Sequence, residues 1–351
     1  MPQDSPQMRA LVERLFQPLR PDNPDSSMGA ELELIPFRDR SHRRVLIDTD
    51  NEGTGSADII RDAGATRGWR EEMDSYGAPS WITPDGGRIS YEPGGQVEIS
   101  SPVFPSAAAL HSFLAGMVHA IRDSAHAANV VFLSSGVDPY NSLESVPLQL
   151  RAPRYEAMTR YFDSIGASGA RMMRQTASLQ VSVELGPRPL ERWKLLTSLA
   201  PYLLAAYANS PDYEGKSTGY ASYRARLWQT LDNTRTGLPF DAQDPIGAYT
   251  RFAERAGRIL DDDAAHLTTL FPEIRPRGHF EIRSMDSMEP DRIGQALQFI
   301  SRLLHDEDVA AEAQEIVGNP DASLLPRAAE FGRSDPAIDA PLKVLDILAA
   351  D

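Results

Sequence analysis

The sequence predicts an α+β protein built on an antiparallel sheet. Three observations carry that expectation. The strand-like segments alternate polar and apolar residues, helices and strands are interleaved in mixed order, and two extended segments flank a tight turn at Pro93-Gly94-Gly95. A doubly wound parallel sheet would bury both strand faces and read as continuous apolar runs.

In chain order, Met8, Leu11, Val12, Leu15, Phe16 and Leu19 fall at helical spacing and predict an amphipathic helix over 7–20. A turn-rich link, Pro21 to Ser27, leads into Gly29 to Phe37, which alternates like a strand. Residues 38–80 are polar, with many Asp, Arg and Gly, and predict loops and short strands. Ile89 to Ser100 reads as a hairpin. Leu110, Phe113, Leu114, Met117, Val118 and Ile121 mark a helix, and Val130 to Val137 a strand. Helices are expected near 155–165, 189–209 and 245–260, with Trp193, Leu196, Leu199 and Leu203 as a core stripe. Strands are expected at 176–185 and 279–285, and the chain from Asp291 onward reads as mostly helical. No Pro/Gly/Ser-rich linker divides the sequence. Residues 1–27 are therefore read as a helix and link, and 28–351 as a single catalytic domain.

Composition narrows the function. The 351 residues carry 35 Lys+Arg against 50 Asp+Glu, a net charge of −15, and no cysteine. The missing cysteine excludes disulfides, thiolate metal sites and a cysteine nucleophile. The acidity argues against a nucleic-acid partner. No stretch approaches the roughly 18 apolar residues of a membrane span. Met1 to Asp4, then Ser5-Pro6, lacks the basic and apolar regions of a secretory leader, so a cytoplasmic enzyme is expected. There is no phosphate-binding Gly-x-x-x-x-Gly-Lys loop, no dinucleotide glycine fingerprint and no kinase signature, and Ser134-Ser135-Gly136 lacks the Gly-x-Ser-x-Gly elbow. His119 and His126 could share a helix face, but no carboxylate completes a ligand set, so both read as structural or exposed.

The informative pattern is the polar side of the strands. Side chains alternate faces along a strand, so Glu31 and Glu33 share one face. Gln96 and Glu98 share another, with Glu92 just across the turn. Ser178, Gln180, Ser182 and Glu184 form a third polar set, and Glu281 and Arg283 a fourth. Taken singly, each is equally a half-buried strand with a wet outer face. Placed in one sheet, the strands would bring five carboxylates together, and such crowding calls for a cation. Carboxylate and carboxamide ligands suit Mg²⁺ or Mn²⁺, and such ions bridge protein carboxylates to nucleotide phosphates. A nucleotide would then be held through metals and arginines, with Arg224, Arg226, Arg235 and Arg283 as candidates.

The ordered segments resemble the glutamate–cysteine ligase family, in its plant-type branch. The resemblance rests on Gly29-Ala30-Glu31-Leu32-Glu33, Glu92-Pro93-Gly94-Gly95-Gln96-Val97-Glu98, Met172-Met173 with Thr176 to Val181, Asn209-Ser210-Pro211, Ser222-Tyr223-Arg224, Arg235-Thr236-Gly237 and Glu281-Ile282-Arg283. It implies a glutamine-synthetase-like fold, a curved antiparallel funnel flanked by helices. It also implies a reaction in which ATP phosphorylates the γ-carboxylate of glutamate and an amine attacks the acyl phosphate. By the same resemblance Glu31, Glu33, Glu92, Glu98 and Glu281 match metal-binding carboxylates, with Mg²⁺ or Mn²⁺ as the metal. Arg283, with Glu281, matches the catalytic pair facing the transferred phosphate. Arg154, Ser178, Gln180 and Arg224 match the glutamate pocket, and Arg235 and Arg283 the ATP contacts. The expected partners are ATP, glutamate and cysteine or another amine, bound by a monomer or homodimer. Three departures bear on the acceptor and on regulation: a shorter stretch between Gly237 and His266, Ser182 in place of the plant asparagine, and no regulatory cysteines.

Overall fold

The computed structural model describes residues 5–51 and 53–350. Met1 to Asp4, from which no secretory leader is expected, lie outside the described residues. Seven strands enter the main sheet first: β1 (Met28–Arg38), β2 (Arg70–Met73), β3 (Pro79–Ile82), β4 (Arg88–Tyr91), β5 (Val97–Ser100), β6 (Val130–Leu133) and β7 (Ser178–Val183). The strands Ile274–Pro276 and Phe280–Asp286 complete nine. The order runs from the 274–276 strand through the 280–286 strand, β7, β1, β5, β4 and β3 to β2, and every neighbouring pair is antiparallel. The α+β antiparallel expectation therefore holds.

β1 is the organising strand. Met28 to Leu32 pair with β7, Glu31 to Leu34 pair with β5, and Ile35 to Arg38 pair with β6. The alternation sorts the two faces of the sheet. Leu32 stands opposite Ile99 and Leu179, Ala30 opposite Val181, and Val181 opposite Ile282, all of them buried. This face joins one core with Leu114, Val118 and Ile121 of helix Ala107–Ala127, and with Ile293, Leu297 and Ile300 of helix Pro290–His305. Trp193, Leu196, Leu199 and Leu203 of helix Pro189–Ala206 complete it, as their spacing predicts. Burial of such side chains at about 25 cal/mol per Å² is what holds the sheet flat side down on its helices. The other face carries the carboxylates.

Several boundaries differ from the sequence reading. A helix, Ser56–Ala65, lies inside the stretch expected to be loops and short strands. Its buried Ala57, Ile59, Ile60 and Ala63 keep helical spacing, but over only ten residues of a mostly polar stretch that pattern is short. The first helix spans Pro6–Leu15 and stops short of residue 20, because Phe16 caps it and the backbone of Leu19 turns away to bond the Gly278 carbonyl at 3.2 Å. β6 ends at Leu133, and Val137 makes only an isolated bridge to Thr176. No helix among the described residues is long and apolar enough to cross a membrane.

Candidate functional site

The sheet register brings the polar sets together. Glu33 stands directly opposite Glu98, and Glu31 opposite Gln180. Glu33 is clamped by β7: the Ser178 amide donates to its carboxylate at 2.8 Å, the Ser178 hydroxyl at 3.2 Å and the Gln180 side-chain amide at 3.2 Å. Glu98 accepts from the Ser90 and Ser100 hydroxyls at 3.2 and 3.0 Å. Glu92 is aimed at them by the β4–β5 turn. That turn closes through Glu92 N–H to the Gln96 carbonyl and Gly95 N–H to the Glu92 carbonyl, both 2.8 Å. It needs its two glycines. Gly95 has φ +80°, and a side chain on Gly94 would stand 2.2 Å from the Arg174 carbonyl oxygen. Gln96 is spent on structure: its amide donates to the Thr176 carbonyl at 2.7 Å and accepts from Gly94 N–H at 3.0 Å.

Glu33, Glu92 and Glu98 each offer an oxygen within 4.8 Å of the others. Burial is the largest cause that holds protons on these carboxylates; repulsion from other glutamates comes next for Glu31, Glu92 and Glu98, whereas at Glu33 the Arg224 charge and the Ser178 amide oppose burial. Glu31 and Glu33 are each pushed up to about 7, Glu92 rises well above the usual carboxylate range, and Glu98 rises too. An all-oxygen, acidic, half-buried set of this kind fits a hard divalent cation.

This makes stability depend on pH in a defined direction. A raised carboxylate stabilises the fold below its ordinary value near 4.5 and loses that contribution as pH climbs through its raised value, here about 7 for Glu31 and Glu33. Metal-free protein should therefore melt at a lower temperature at pH 8 than at pH 5.5. Mg²⁺ should raise the melting temperature more at pH 8 than at pH 5.5. Thermal scans with and without the ion check this, and a metal effect independent of pH would contradict it.

Glu281 is handled differently. It is buried, and its carboxylate is gripped by Arg275 (Nη2 3.0 Å), Arg277 (3.3 Å) and Arg283 (3.2 Å). Despite burial, these guanidiniums hold it well below the carboxylate range. The five glutamates thus split into four that crowd one another and one neutralised by the chain itself. Arg275 was not singled out from the sequence. The signal was present, since the short hairpin places it directly opposite Glu281.

A cavity of about 210 Å³ lies over the carboxylates. Its walls include Arg154, Arg224, Arg275 and Arg283, with Tyr155, Met158, Met172, Met173, Trp228 and Phe271. Arg283 donates to the Gln180 side-chain oxygen and lies over the Trp228 and Phe271 rings at 5.7 and 5.9 Å. Arg224 is buried, donates to the Arg283 carbonyl at 2.9 Å and lies 3.8 Å from Asp286. Asp286 is itself fixed by Asn209, Ser210 and Ser222. Arg154 reaches the rim and donates to Thr268. A second cavity, about 290 Å³, opens on the other side of Glu31 and is bordered by Ser101, Ser182, Arg277 and His279.

Arg235 does not join the others. It is fully buried and spends its guanidinium on Asp232 at 2.8 Å, the Thr269 carbonyl at 2.9 Å and the Gly257 carbonyl, with the Tyr161 ring 4.6 Å away. It borders neither cavity. Arg226 is exposed and lies over the Tyr220 ring. His119 and His126 are both exposed, the second of the two alternatives that the sequence left open.

The model of glutamate–cysteine ligase family 2 (GCS2) matches residues 27–331 of this sequence. The chain belongs to that family. Among curated members of the ligase family, glutamate–cysteine ligase EgtA of Mycolicibacterium smegmatis is 35% identical over 290 residues, 72% of this chain and 68% of its own. The EgtA of Mycobacterium tuberculosis is 31% identical, over 76% of this chain and 72% of its own. The chloroplastic glutamate–cysteine ligase of Brassica juncea is 29% identical over 66% of this chain, which spans about half (52%) of the plant enzyme. Among solved structures, a bifunctional glutathione synthetase from Pasteurella multocida aligns with 99% of this chain and 47% of its own at 12% identity, TM-score 0.49.

Proposed function

We propose that the protein joins the γ-carboxylate of glutamate to the amine of cysteine, consuming ATP. The observation that carries this reading is the group of crowded, proton-holding carboxylates set beside Arg224 and Arg283 on one sheet face, with a cavity on either side of Glu31. In this reading Glu31, Glu33, Glu92 and Glu98 hold Mg²⁺ or Mn²⁺. The ion would neutralise phosphate charge. Arg154 and Arg224 bind glutamate in the smaller cavity, Ser178 and Gln180 keep Glu33 oriented, and the second cavity takes the nucleotide.

A γ-carboxylate oxygen attacks the terminal phosphorus of ATP, the bond to the bridging oxygen breaks, and ADP leaves. The amine nitrogen then attacks the acyl carbon, the C–O bond to phosphate breaks with its electron pair, and the nitrogen sheds a proton. In this reading Arg283, held in place by Glu281 and Gln180, meets the charge that develops on the transferred group. The sheet floor and the Met/aromatic walls limit water, which would hydrolyse the acyl phosphate. Arg235 has no part in this reading, because its donors are committed in the interior.

Purified protein with Mg²⁺, ATP and glutamate should release phosphate only when an acceptor amine is added, and cysteine should be the best of an amine panel. Preference for another amine would keep the chemistry and replace the acceptor. No ATP turnover with any amine would overturn the ligase reading.

A further inference from the structure

The family match begins at residue 27, yet part of the second cavity's rim comes from before it. Leu19 and Arg20 line that cavity together with Glu31, Val103, Arg277 and His279. The strap that carries them is fixed at both ends. Gly278 N–H donates to the Leu15 carbonyl at 2.7 Å and Leu19 N–H to the Gly278 carbonyl at 3.2 Å. Asn23 donates to the Glu184 carboxylate at 2.7 Å. Phe16 is wedged edge-on against Trp193 and Phe280, ring centres 5.4 and 6.0 Å away. The approach is close enough that a side chain on Gly278 would stand 2.4 Å from Leu19 Cγ. On this fixed backbone Leu19 remains 71% exposed, an apolar side chain held at a cavity mouth with nothing covering it. Arg20 lines the same cavity as Arg277 and His279; Arg277 is already engaged by Glu281 at 3.3 Å, and of the lining carboxylates Glu184 is engaged by Asn23, which leaves Glu31 facing the space.

We propose that this strap, N-terminal to the matched segment, is a nucleotide-binding element, with Leu19 packing on the base and Arg20 facing the phosphates of a nucleoside triphosphate. The proposal rests on the assignment of the second cavity to ATP. The apolar side chain and the cation match the two ends of such a ligand, and the rigid anchoring means that little ordering accompanies contact.

Calorimetric titration of Mg²⁺–ATP into the full chain tests it, alongside KM values for ATP and glutamate. Leu19→Ala should weaken ATP binding about three- to tenfold through lost apolar contact. Arg20→Ala should weaken it about two- to fivefold at low salt and less at high salt. Both should leave the KM for glutamate unchanged. Gln17→Ala, on the same strap but outside the cavity, should bind ATP like the wild type. Equal affinity in wild type, Leu19→Ala and Arg20→Ala overturns the strap proposal alone. Equal weakening in all three variants overturns it as well, since strap integrity and not contact would then be the cause. A wild type that binds no ATP overturns the ligase reading and this proposal with it.

Discussion

Glu98→Gln is expected to lower turnover by about 100-fold or more while leaving the melting temperature unchanged or raised by a few degrees. The two effects have opposite signs for one reason. Glu98 sits within reach of Glu33 and Glu92; burial first and the Glu33 charge next favour a proton on it, while hydrogen bonds from Ser100, Glu92 and Ser90 oppose this. The amide keeps the shape and can still accept from Ser90 and Ser100, whose hydroxyls are 3.2 and 3.0 Å from the carboxylate. Wherever the pH is high enough to ionise Glu98, the amide also removes one negative charge from a set that repels itself in the absence of a cation. The metal-free fold gains by the change. The proposed metal site loses a ligand charge that no neighbour replaces, so Mg²⁺ affinity should fall in the same variant. Steady-state kinetics, Mg²⁺ titration and a thermal scan measure the three quantities separately. Near-normal turnover would take Glu98 out of the ligand set. A large drop in melting temperature would mean that the carboxylate is structural instead.

Much of this site was legible before the structure, and the reason is periodicity. Glu31, Glu33, Glu98, Gln180 and Glu281 advertise their shared face because a strand alternates with a period of two, and one polar residue out of phase would be conspicuous. The long helices were legible for the same kind of reason: Trp193, Leu196, Leu199 and Leu203 keep their spacing without interruption. What alternation cannot encode is which strands are neighbours. The split of the five glutamates depends on that. Glu281 is neutralised because a hairpin of three-residue reach sets Arg275 across from it, while Glu33 faces Glu98 across a pairing that spans 65 positions of sequence. Arg235 shows the opposite failure. Its motif, Arg235-Thr236-Gly237, sits in the right order along the chain, yet Asp232, Thr269 and Gly257 draw the guanidinium into the interior. A charged residue in a motif says nothing about which way it turns. Leu19 was assigned to a helical face from its spacing, and the chain had already left the helix at Phe16.

Arg283→Lys should lower kcat by about 10²- to 10³-fold and change the KM values for ATP and glutamate by less than about tenfold. The substitution keeps a positive charge, so the size of the loss measures what the guanidinium adds beyond charge. One guanidinium nitrogen, Nη1, donates both to the Gln180 oxygen and to the Glu281 carboxylate at 3.2 Å, which leaves Nη2 and Nε for other acceptors, and the planar face lies over Trp228 and Phe271. Gln180 in turn donates to Glu33, so Arg283 is coupled through one side chain to the carboxylate cluster. A lysine ammonium is a point charge on a flexible stem. It can take the place of Nη1, but it lacks the second and third nitrogen donors and the flat surface that lies over the two rings. Arg275 and Arg277 still neutralise Glu281 in the variant, so the fold should survive with only a small loss of stability. Under the proposed chemistry the loss should therefore appear in kcat, where a preorganised donor would act on charge that develops during transfer, and not in ground-state binding, which the proposal gives to the other cavity residues. A variant that keeps kcat but loses glutamate affinity would reassign Arg283 to substrate binding. One that retains both would remove it from the proposed chemistry.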